Sequence, residues 1–364
     1  KVVAPQRSKT NTFGYSNKDF FASADVYYII PFSQKISAKY LTAILNSKLY
    51  FFWFYNKGKR KGEMLELYQK PLSETPIKMT NQILAFEVLI EKIIENKHGF
   101  IQVYNSHGDQ VVFGANVYDG KFNTDIFHNT NGIDRAYFLT TIRPKAKDAL
   151  VIGLSTGSWV KVLSMMPSLE KITVIEINPA YHDLIKSDPA ISRILKDRRI
   201  EIVFDDGRKW LKKNQNKKFD IVLMNTTWHW RAYGSNLLSQ NFLHLIKSVL
   251  NENGVAFYNT TQSIDAFYTA KQVFPRVYKY KFFVLASSNQ ILLSEKDMIT
   301  SLCELEDPLS KQKIFSGENQ CILAKNEIMK NPLIPYEQIP AFPRKPELIT
   351  DDNMITEFRY GKGL

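Results

Sequence analysis

The middle of the sequence predicts an α/β fold with a parallel sheet that helices cover on both faces. Between residues 148 and 259, five short apolar runs of strand-like composition alternate with helical segments. A glycine-containing turn follows the first run, and acidic residues end the second and third runs. Strands that alternate with helices form parallel sheets buried on both faces. A ligand site is therefore expected at the carboxyl ends of these strands.

The sequence predicts the individual strands and helices of this region and of its two flanks. The predicted strands are DALVIG (148–153), KITVIEI (171–177), RIEIVF (199–204), FDIVLM (219–224) and GVAFYN (254–259). One helix is predicted from about residue 157, and another opens at Pro179. Upstream, the segments FIQVY and QVVFGANVY flank the polar turn NSHGD, which predicts a β-hairpin. The proline-rich tail, 300–364, is predicted to be irregular.

The first 97 residues are predicted to form a separate, mixed α+β module. Its segments are a strand-like SADVYYIIPF (23–32), a helical AKYLTAILNSKLYFFWFYN (38–56), a basic loop KGKRKGEM (57–64) and an amphipathic helix NQILAFEVLIEKIIENK (81–97). The net charge of +12 is concentrated here, with +7 in residues 1–97 and +5 in the remainder. Such an excess suits a polyanionic partner, although a solvated basic face explains it equally well.

Composition excludes several classes of protein. An apolar fraction of 44% over 364 residues can fill two or three domain cores, so disorder of the whole chain is excluded. Two cysteines, Cys303 and Cys321, are too few for a disulfide framework or a cysteine-rich zinc site, so a reducing cytoplasm is expected. No apolar run reaches the ~18 residues that span a bilayer. Lys1 in place of an initiating Met is consistent with a fragment or a processed product.

Candidate cofactor-binding residues lie at the ends of the first three predicted strands. They are Gly153, Ser155, Gly157, Glu176, Asp205 and Asp206. The turn GLSTGS lets the backbone pass close to a ligand at the start of a helix. Glu176, roughly 20 residues later, is placed to accept hydrogen bonds from ribose hydroxyls, and Asp206 can take an adenine amino group. The alternative is that Glu176 and Asp206 only cap helices.

These motifs resemble the spermidine synthase family, which has a Rossmann-like, S-adenosylmethionine-dependent transferase sheet preceded by a small β-hairpin domain. The motifs, within residues 99–364, are VYDG (117–120), VIGLSTGS, VIEINPAY, DRRIEIVFDDGRKWL, FDIVLMNTTWHW, LLSQNFLHLIKSVLNENGVAFYNTT and LITDDNMITEF (348–358). The divergent bacterial branch, often fused to membrane transporter segments, is the most similar. The resemblance implies a hairpin part at 98–140, a cofactor-binding domain at 141–300 and an extension at 301–364. It also implies S-adenosylmethionine or its decarboxylated form, no metal, and a homo-oligomer.

The loop MNTTWHW (224–230), after the fourth strand, departs from that family. In spermidine synthases this loop reads Asp-Ser-Ser-Asp-Pro; the first Asp helps to deprotonate the attacking amine, and the second helps to hold the diamine. Asn225 and Trp228 stand there instead, and neither is a base. DRAYF (134–138) replaces the family's Tyr-His-Glu. The acceptor, an amine or another small molecule, and the transferred group, aminopropyl or methyl, therefore stay open.

The catalytic candidates are Asn225 and His229. His229 can take a proton near neutral pH, or it can be a packed histidine. Arg231 can clamp an anionic substrate or pair with a surface carboxylate. The loop can also be compared with the Asn-Pro-Pro-Tyr loop of DNA methyltransferases. In that interpretation, Asn225 would bind the amino group of a flipped adenine, and Trp228 would stack on the base. The absence of both prolines argues against that interpretation.

Residues 1–97 resemble the C-terminal specificity domain of TaqI-like type II restriction and N6-adenine methyltransferase enzymes. The similar segments are VVAPQRSKTNTFGYS (2–16), SADVYYIIP (23–31), KYLTAILNSKLYFFWF (39–54), GKRKGEM (58–64) and YQKPLSETPI (68–77). The resemblance implies duplex DNA as a partner. Candidate contacts to phosphates or guanine edges are Arg7, Lys57, Lys59, Arg60 and Lys61. Four aromatic residues are interpreted as core, with base stacking as the alternative: Phe51, Phe52, Trp53 and Tyr55.

Two classes of function follow. One is a transferase with a DNA-specificity-like module. The other is a DNA-binding specificity subunit of a restriction-modification or N6-adenine methyltransferase system. In TaqI-like enzymes the catalytic domain precedes the specificity domain, whereas here a different domain follows it. Three alternatives explain this order: a natural fusion, the tail of a longer enzyme with a new partner domain, or an artificial joining of two genes.

Overall fold

The computed structural model describes residues 1–16, 26–31, 36–77, 90–106, 108–114, 117–225 and 234–353. The chain forms two compact units, Lys1–Tyr118 and Asp119–Leu364. The first unit therefore extends past residue 97, where the sequence-based boundary was placed. The division into functional modules at 97, 140 and 300 stays a prediction. Within the described ranges, no helix is long and apolar enough to cross a bilayer.

In the described residues up to Ile77, the smaller unit has two small sheets and three helices around one core. Its elements are β1 (Val2–Pro5), β2 (Arg7–Ser8), β3 (Gly14–Tyr15), β4 (Val26–Ile29), α1 (Ala38–Leu45), α2 (Lys48–Lys57), β5 (Lys59–Lys61), β6 (Met64–Glu66) and α3 (Gln69–Ser73). The sheets have the strand orders β3-β1-β4 and β2-β6-β5. Phe13, Phe54 and Leu67 are among the fully buried core residues.

The predicted helical stretch 38–56 forms two helices rather than one. Asn46 lies at the break, where its side chain accepts from the Phe13 N–H at 2.9 Å and donates to the Phe13 carbonyl at 2.8 Å. Ser47 caps α2 by accepting from the Tyr50 N–H. The predicted basic loop 57–64 is wrong in form, since β5 and β6 pair there as a hairpin with Arg60 opposite Leu65.

A four-stranded sheet follows, in which β7–β8 and β8–β9 pair antiparallel. Its strands are β7 (Ile90–Asn96), β8 (Gly99–Ser106), β9 (Asp109–Gly114) and β10 (Val117–Lys121), in the order β10-β9-β8-β7. The β8–β9 pair confirms the predicted hairpin. The predicted helix over 81–97 is wrong for residues 90–96, because β7 pairs with β8 through a tight turn; residues 81–89 lie outside the described ranges. Pairing with a neighbouring strand overrode the helical spacing of the apolar residues.

The larger unit is built on an eight-stranded sheet. Its strands are β11 (Asp148–Ile152), β12 (Lys171–Glu176), β13 (Ile200–Phe204), β14 (Phe219–Met224), β15 (Leu250–Asn259), β16 (Arg276–Tyr280), β17 (Phe283–Ser287) and β18 (Leu333–Pro335). Its helices are α4 (Asp134–Ile142), α5 (Ser158–Ser164), α6 (Ala180–Lys186), α7 (Gly207–Lys213), α8 (Gln240–Val249), α9 (Ile264–Val273), α10 (Glu295–Glu304) and α11 (Glu318–Met329).

The strand order of this sheet is β13-β12-β11-β14-β15-β17-β16-β18. The first five strands are parallel, as predicted, and the last three pair antiparallel. The strand order reverses at β11, which lies between β12 and β14. Open α/β sheets bind ligands at such a switch point, outside the carboxyl ends of the strands.

The tail is more regular than predicted. The end of α10 and all of α11 lie after residue 300, and a disulfide between Cys303 and Cys321 joins these two helices, with their Cα atoms 5.5 Å apart. The expectation of an irregular tail is therefore wrong up to Pro335, where strand β18 ends. The pairing of the two cysteines was not expected from their number.

Candidate functional site

The turn after β11 has the backbone geometry of a ligand loop. Gly153, Ser155 and Gly157 have positive φ values of 96°, 49° and 75°. A Cβ atom on Gly157 would lie 2.8 Å from the Ile191 Cγ2 atom and 2.9 Å from the Ile185 Cδ1 atom. Glycine is therefore required at 157 by both conformation and space. Ser155 holds a conformation that costs a non-glycine residue about 1 kcal/mol or more, and such strain clusters at functional sites.

The end of strand β10, which carries the VYDG motif, is tied to this turn. The Lys121 carbonyl accepts from Thr156 Oγ1 at 3.0 Å and from Ser158 Oγ at 2.6 Å. The Ser155 hydroxyl donates to the Asp119 carbonyl. These bonds fix the turn before any ligand arrives, so its backbone is preorganised.

Glu176, at the end of β12, fixes the turn through hydrogen bonds from backbone N–H groups. Its Oε2 atom accepts from the Leu154 N–H at 2.7 Å and its Oε1 atom accepts from the Asn178 N–H at 2.8 Å. Burial raises the pKa of Glu176, the nearby Asp119 carboxylate adds to this, and the backbone hydrogen bonds oppose it. A carboxylate has about four acceptor positions, so Glu176 can also accept from a ligand hydroxyl.

A second carboxylate near Glu176 was missed from the sequence. Asp119 accepts a hydrogen bond from the Tyr181 hydroxyl, which α6 supplies. Tyr181 itself is buried. The DG step of VYDG was the available signal, because Asp119 precedes a glycine with a φ of 128° that lies against Thr156.

The aspartates after β13 have unequal roles. Asp206 caps α7, because its Oδ1 atom accepts from the Lys209 N–H at 2.8 Å. Asp206 therefore caps a helix, as the alternative interpretation expected. The capping bond uses only Oδ1, so Oδ2 can still accept a hydrogen bond from a ligand. Asp205 Oδ1 accepts from the Asp206 N–H and lies 3.2 Å from Lys209 Nζ. These two contacts lower the pKa of Asp205 and keep it ionised.

Two large apolar side chains are exposed at the same edge of the sheet. Ile177 follows Glu176 and is 53% exposed, and Phe204 precedes Asp205 and is 49% exposed. An apolar surface between two carboxylates suits a nucleoside, with the purine on the apolar side chains and the ribose on an acidic acceptor. The turn, Glu176 and these side chains therefore fit an adenosyl group.

Asn225 lies at the end of β14, beside the end of β15. Its Oδ1 atom accepts from Asn259 Nδ2 at 3.2 Å. Two residues after Asn259, Thr261 has a positive φ of 48°, and the next residue, Gln262, has a positive φ of 68°. Backbone strain of this kind clusters at functional sites, so we expect this corner to belong to the candidate site.

The rest of the predicted loop lies outside the described residues. This applies to Trp228, His229 and Arg231, so the structure does not test their roles. In the described part of the chain, no group of three or more His, Cys, Asp or Glu side chains is arranged to hold a metal.

Residues 137–293 match the family model for the spermine/spermidine synthase domain. The larger unit resembles the spermidine synthases. The polyamine aminopropyltransferase of Clostridioides difficile (strain 630) is 30% identical over 139 residues, which cover 35% of this chain and 49% of that protein. The polyamine aminopropyltransferase of Caldicellulosiruptor saccharolyticus is 28% identical over 151 residues, which cover 39% of this chain and 53% of that protein. The chain thus spans about half the length of these curated relatives.

A solved structure agrees with this synthase-like unit in fold. A spermidine synthase in complex with the transition-state analogue AdoDATO superposes with a TM-score of 0.50. It is 16% identical in sequence, and the match covers 66% of this chain and 87% of that chain. The Rossmann-type sheet expected from the resemblance is therefore confirmed.

The candidate DNA-binding residues Arg7, Lys59, Arg60 and Lys61 lie on the sheet β2-β6-β5 of the smaller unit, whereas Lys57 ends α2. Arg60 and Lys61 are exposed on β5, and the Arg60 guanidinium lies 4.3 Å from the centroid of the Tyr55 ring. Lys57 is exposed just before this strand. Arg7, on β2 of the same sheet, donates to the Tyr68 hydroxyl at 2.8 Å. The side chain of Lys59 lies outside what the structure describes.

The aromatic residues of α2 only partly fulfil the core interpretation. Phe52 is 67% exposed and Tyr55 is 44% exposed, so that interpretation is wrong for both. Phe51 and Trp53 are half-buried against the core. Residues 1–77 match the model for the TaqI-like C-terminal specificity domain, which agrees with the resemblance found in the sequence.

Proposed function

We propose that the synthase-like unit transfers an aminopropyl or methyl group from an S-adenosyl-type cofactor to a small acceptor. The observation that carries this proposal is the preorganised turn, which Glu176 and Lys121 hold beside an exposed apolar surface. The names of the relatives, polyamine aminopropyltransferases, favour aminopropyl transfer. Because Asn225 is neutral and cannot act as the base that an attacking amine needs, methyl transfer stays open as the alternative reaction.

Different residues would contact different parts of the cofactor. Backbone N–H groups of the turn after β11 would face it, and Glu176 would accept from the ribose hydroxyls. Ile177 and Phe204 would contact the adenine, and Asp205 and Asp206 would lie near its amino group. When bound, the sulfonium supplies an electrophilic carbon and a thioether leaving group.

The acceptor must lose a proton when its lone pair forms the new bond to that carbon, while the electron pair of the broken carbon–sulfur bond stays on sulfur. Asn225 cannot take this proton because an amide is not a base at neutral pH. His229 is the proposed proton acceptor, since an imidazole titrates in the required range. Asn225 is proposed to orient the acceptor.

Calorimetric titration with S-adenosylmethionine and with its decarboxylated form tests this proposal. We expect saturable binding of at least one form at one site per chain. A preference for the decarboxylated form would identify aminopropyl transfer, and a preference for S-adenosylmethionine would identify methyl transfer. If neither form binds, the proposal fails.

DNA binding by the smaller unit is the second candidate function, and the match of residues 1–77 with an exposed basic hairpin favours it. Replacing both Arg60 and Lys61 by Gln should weaken duplex DNA binding. It should also reduce the slope of log K against log salt by roughly 0.9 for each phosphate that is no longer neutralised. Lys70→Gln, on the exposed helix α3, is the matched control. Fluorescence anisotropy at several salt concentrations measures this, and a slope unaffected by the double replacement would contradict it.

Other expectations stay predictions. Homo-oligomer formation and a cytoplasmic location rest on the resemblance alone, because the Cys303–Cys321 disulfide removes the argument from the cysteine count. Methylation of adenine in DNA is the third interpretation, and a preference for S-adenosylmethionine would reopen it.

A further inference from the structure

Residues 344–351, which we call the C-terminal strap, are bound to α9 and α8. The Arg344 guanidinium donates to both oxygens of the fully buried Asp265, at 2.8 and 2.6 Å. The Ile349 side chain is buried in the core, and the Ile349 carbonyl accepts from the Gln240 N–H at 2.7 Å. Gln240 is the first residue of α8, where a backbone N–H has no acceptor within the helix. The strap is therefore part of the folded unit.

The last residue of the strap, Asp351, binds Arg208 of α7. Both terminal nitrogens of the guanidinium donate to the Asp351 carboxylate, one of them at 2.8 Å. Ser239, which caps α8, donates to the same carboxylate at 2.7 Å. The guanidinium also donates to the Asn236 carbonyl at 3.1 Å. A bidentate pair fixes orientation as well as distance, so Arg208 has a defined place between the strap and the start of α8.

The first turn of α7 carries this arginine close to the candidate cofactor aspartates. Asp206 caps the helix, and Arg208 is its second residue. Gly207, between them, packs against the end of β11, since a Cβ atom there would lie 2.6 Å from Ile152 Cγ2. The capping bond ties the Asp206 carboxylate to the backbone of this turn, and Asp205 directly precedes it. The place of both carboxylates therefore depends on the contacts of the turn with β11 and with the strap.

The charge of Arg208 is matched by the strap. The Arg208 side chain is 16% exposed, and the Asp351 side chain is 37% exposed. The hydrogen bond from Arg208, together with the one from Ser239, lowers the pKa of Asp351, so the pair stays charged at neutral pH. Because its donors are used in these contacts, Arg208 acts on a ligand through the turn that it holds.

We propose that Arg208 is a positioning residue of the cofactor site, through which the C-terminal strap holds Asp205 and Asp206 at the adenine amino group. This inference rests on the proposed transferase function and adds a residue that determines its selectivity for adenine. Loss of the guanidinium contacts frees the first turn of α7 to shift relative to β11. The two carboxylates then lose their alignment with the amino group, while the turn after β11 and Glu176 stay in place.

Methylthioadenosine and its 6-deamino analogue, in which hydrogen replaces the amino group, are matched probes. Calorimetry with the unaltered protein should show about tenfold tighter binding of methylthioadenosine, as a hydrogen bond to a charged acceptor allows. The ratio of the two affinities reports the position of the aspartates. A general loss of stability, measured below the melting temperature, does not change this ratio.

Arg208→Lys should bring the ratio close to one. A lysine keeps the positive charge, but it cannot bind Asp351 in a bidentate manner and Asn236 at the same time. Asp351→Asn should reduce the ratio as well, because the amide has one acceptor oxygen in place of two. This second variant alters the pair from its more exposed side, so it provides the test even if Arg208→Lys does not fold.

Arg344→Lys is the matched control. It makes the same change in the other bidentate pair of the strap, at the fully buried Asp265 of α9. We expect a lower melting temperature for this variant but an unchanged ratio of affinities. A purely structural role of Arg208 would make the two arginine variants alike.

An undiminished ratio in both Arg208→Lys and Asp351→Asn would overturn the inference, and so would an equal fall in Arg344→Lys. The same titrations separate this failure from a failure of the proposed function. If the unaltered protein binds both nucleosides equally well, the aspartates do not face the amino group; the inference then fails and the transferase proposal stands. If it binds neither nucleoside, both proposals fail.

Discussion

Replacing Glu176 by glutamine should weaken methylthioadenosine binding by about 100-fold or more. Each hydrogen bond from a ribose hydroxyl to a carboxylate contributes about 1.5–3 kcal/mol, and two such bonds correspond to roughly two factors of ten. Glutamine has one acceptor oxygen, whereas Leu154 and Asn178 donate to different oxygens of Glu176. One backbone N–H would then face an NH2 group, so we also expect a loss of stability of about 1–3 kcal/mol. Calorimetry and thermal unfolding measure the two effects.

Glu170→Gln is the matched control for this experiment. Glu170 is exposed and pairs with Lys147 at 2.7 Å on the surface, away from the turn. Its replacement should change neither binding nor stability noticeably, since exposed ion pairs contribute little. If Glu176→Gln binds the nucleoside as tightly as the control does, the assignment of Glu176 to the ribose is wrong.

Asp307→Ala should reduce the free energy of unfolding by about 3–5 kcal/mol, the range for breaking a buried ion pair from one side. The Asp307 carboxylate lies 2.9 Å from Lys161 Nζ and 2.6 Å from Arg193 Nη2. The Lys161 side chain is only 8% exposed, so the variant leaves a buried ammonium without its partner. Urea unfolding of this variant and of Asp352→Ala, an exposed control, measures the difference.

The same carboxylate should make stability depend on pH. Burial alone would raise the pKa of Asp307, but hydrogen bonds from the Ser310 N–H, Arg193 and Lys161 hold it well below the usual range. A depressed folded-state pKa gives stability that is present above the unfolded pKa, near 4, and is lost as the pH falls further. The difference in melting temperature between the unaltered protein and Asp307→Ala should therefore shrink below about pH 4. A constant difference down to pH 2 would contradict this.

Local sequence determined most of the Rossmann-type sheet, because its parallel strands are continuous apolar runs. FDIVLM (219–224) matches β14 residue for residue. The pattern failed where tertiary contacts decide the structure. In α11, apolar residues such as Leu323, 55% exposed, do not form one buried face, so the helix had no clear amphipathic signal. Residues 90–96 carried helical spacing but pair with β8.

In the candidate site too, some residues could be predicted from local sequence and others depend on long-range contacts. Gly157 and Glu176 could be predicted because turn and strand-end positions fix them locally. Asp119 had only the DG step of VYDG as a local signal, and its contact with Tyr181, 62 residues further along the chain, could not be predicted. The Asn225–Asn259 pair joins the ends of two strands 34 residues apart, and the pattern of each single strand does not show it.

Titration of the unaltered protein with decarboxylated S-adenosylmethionine and with S-adenosylmethionine is the decisive experiment for the proposed transferase. We predict saturable binding of one form at one site per chain, lost in Glu176→Gln and kept in Glu170→Gln. Binding of neither form, or binding that Glu176→Gln leaves intact, would contradict it.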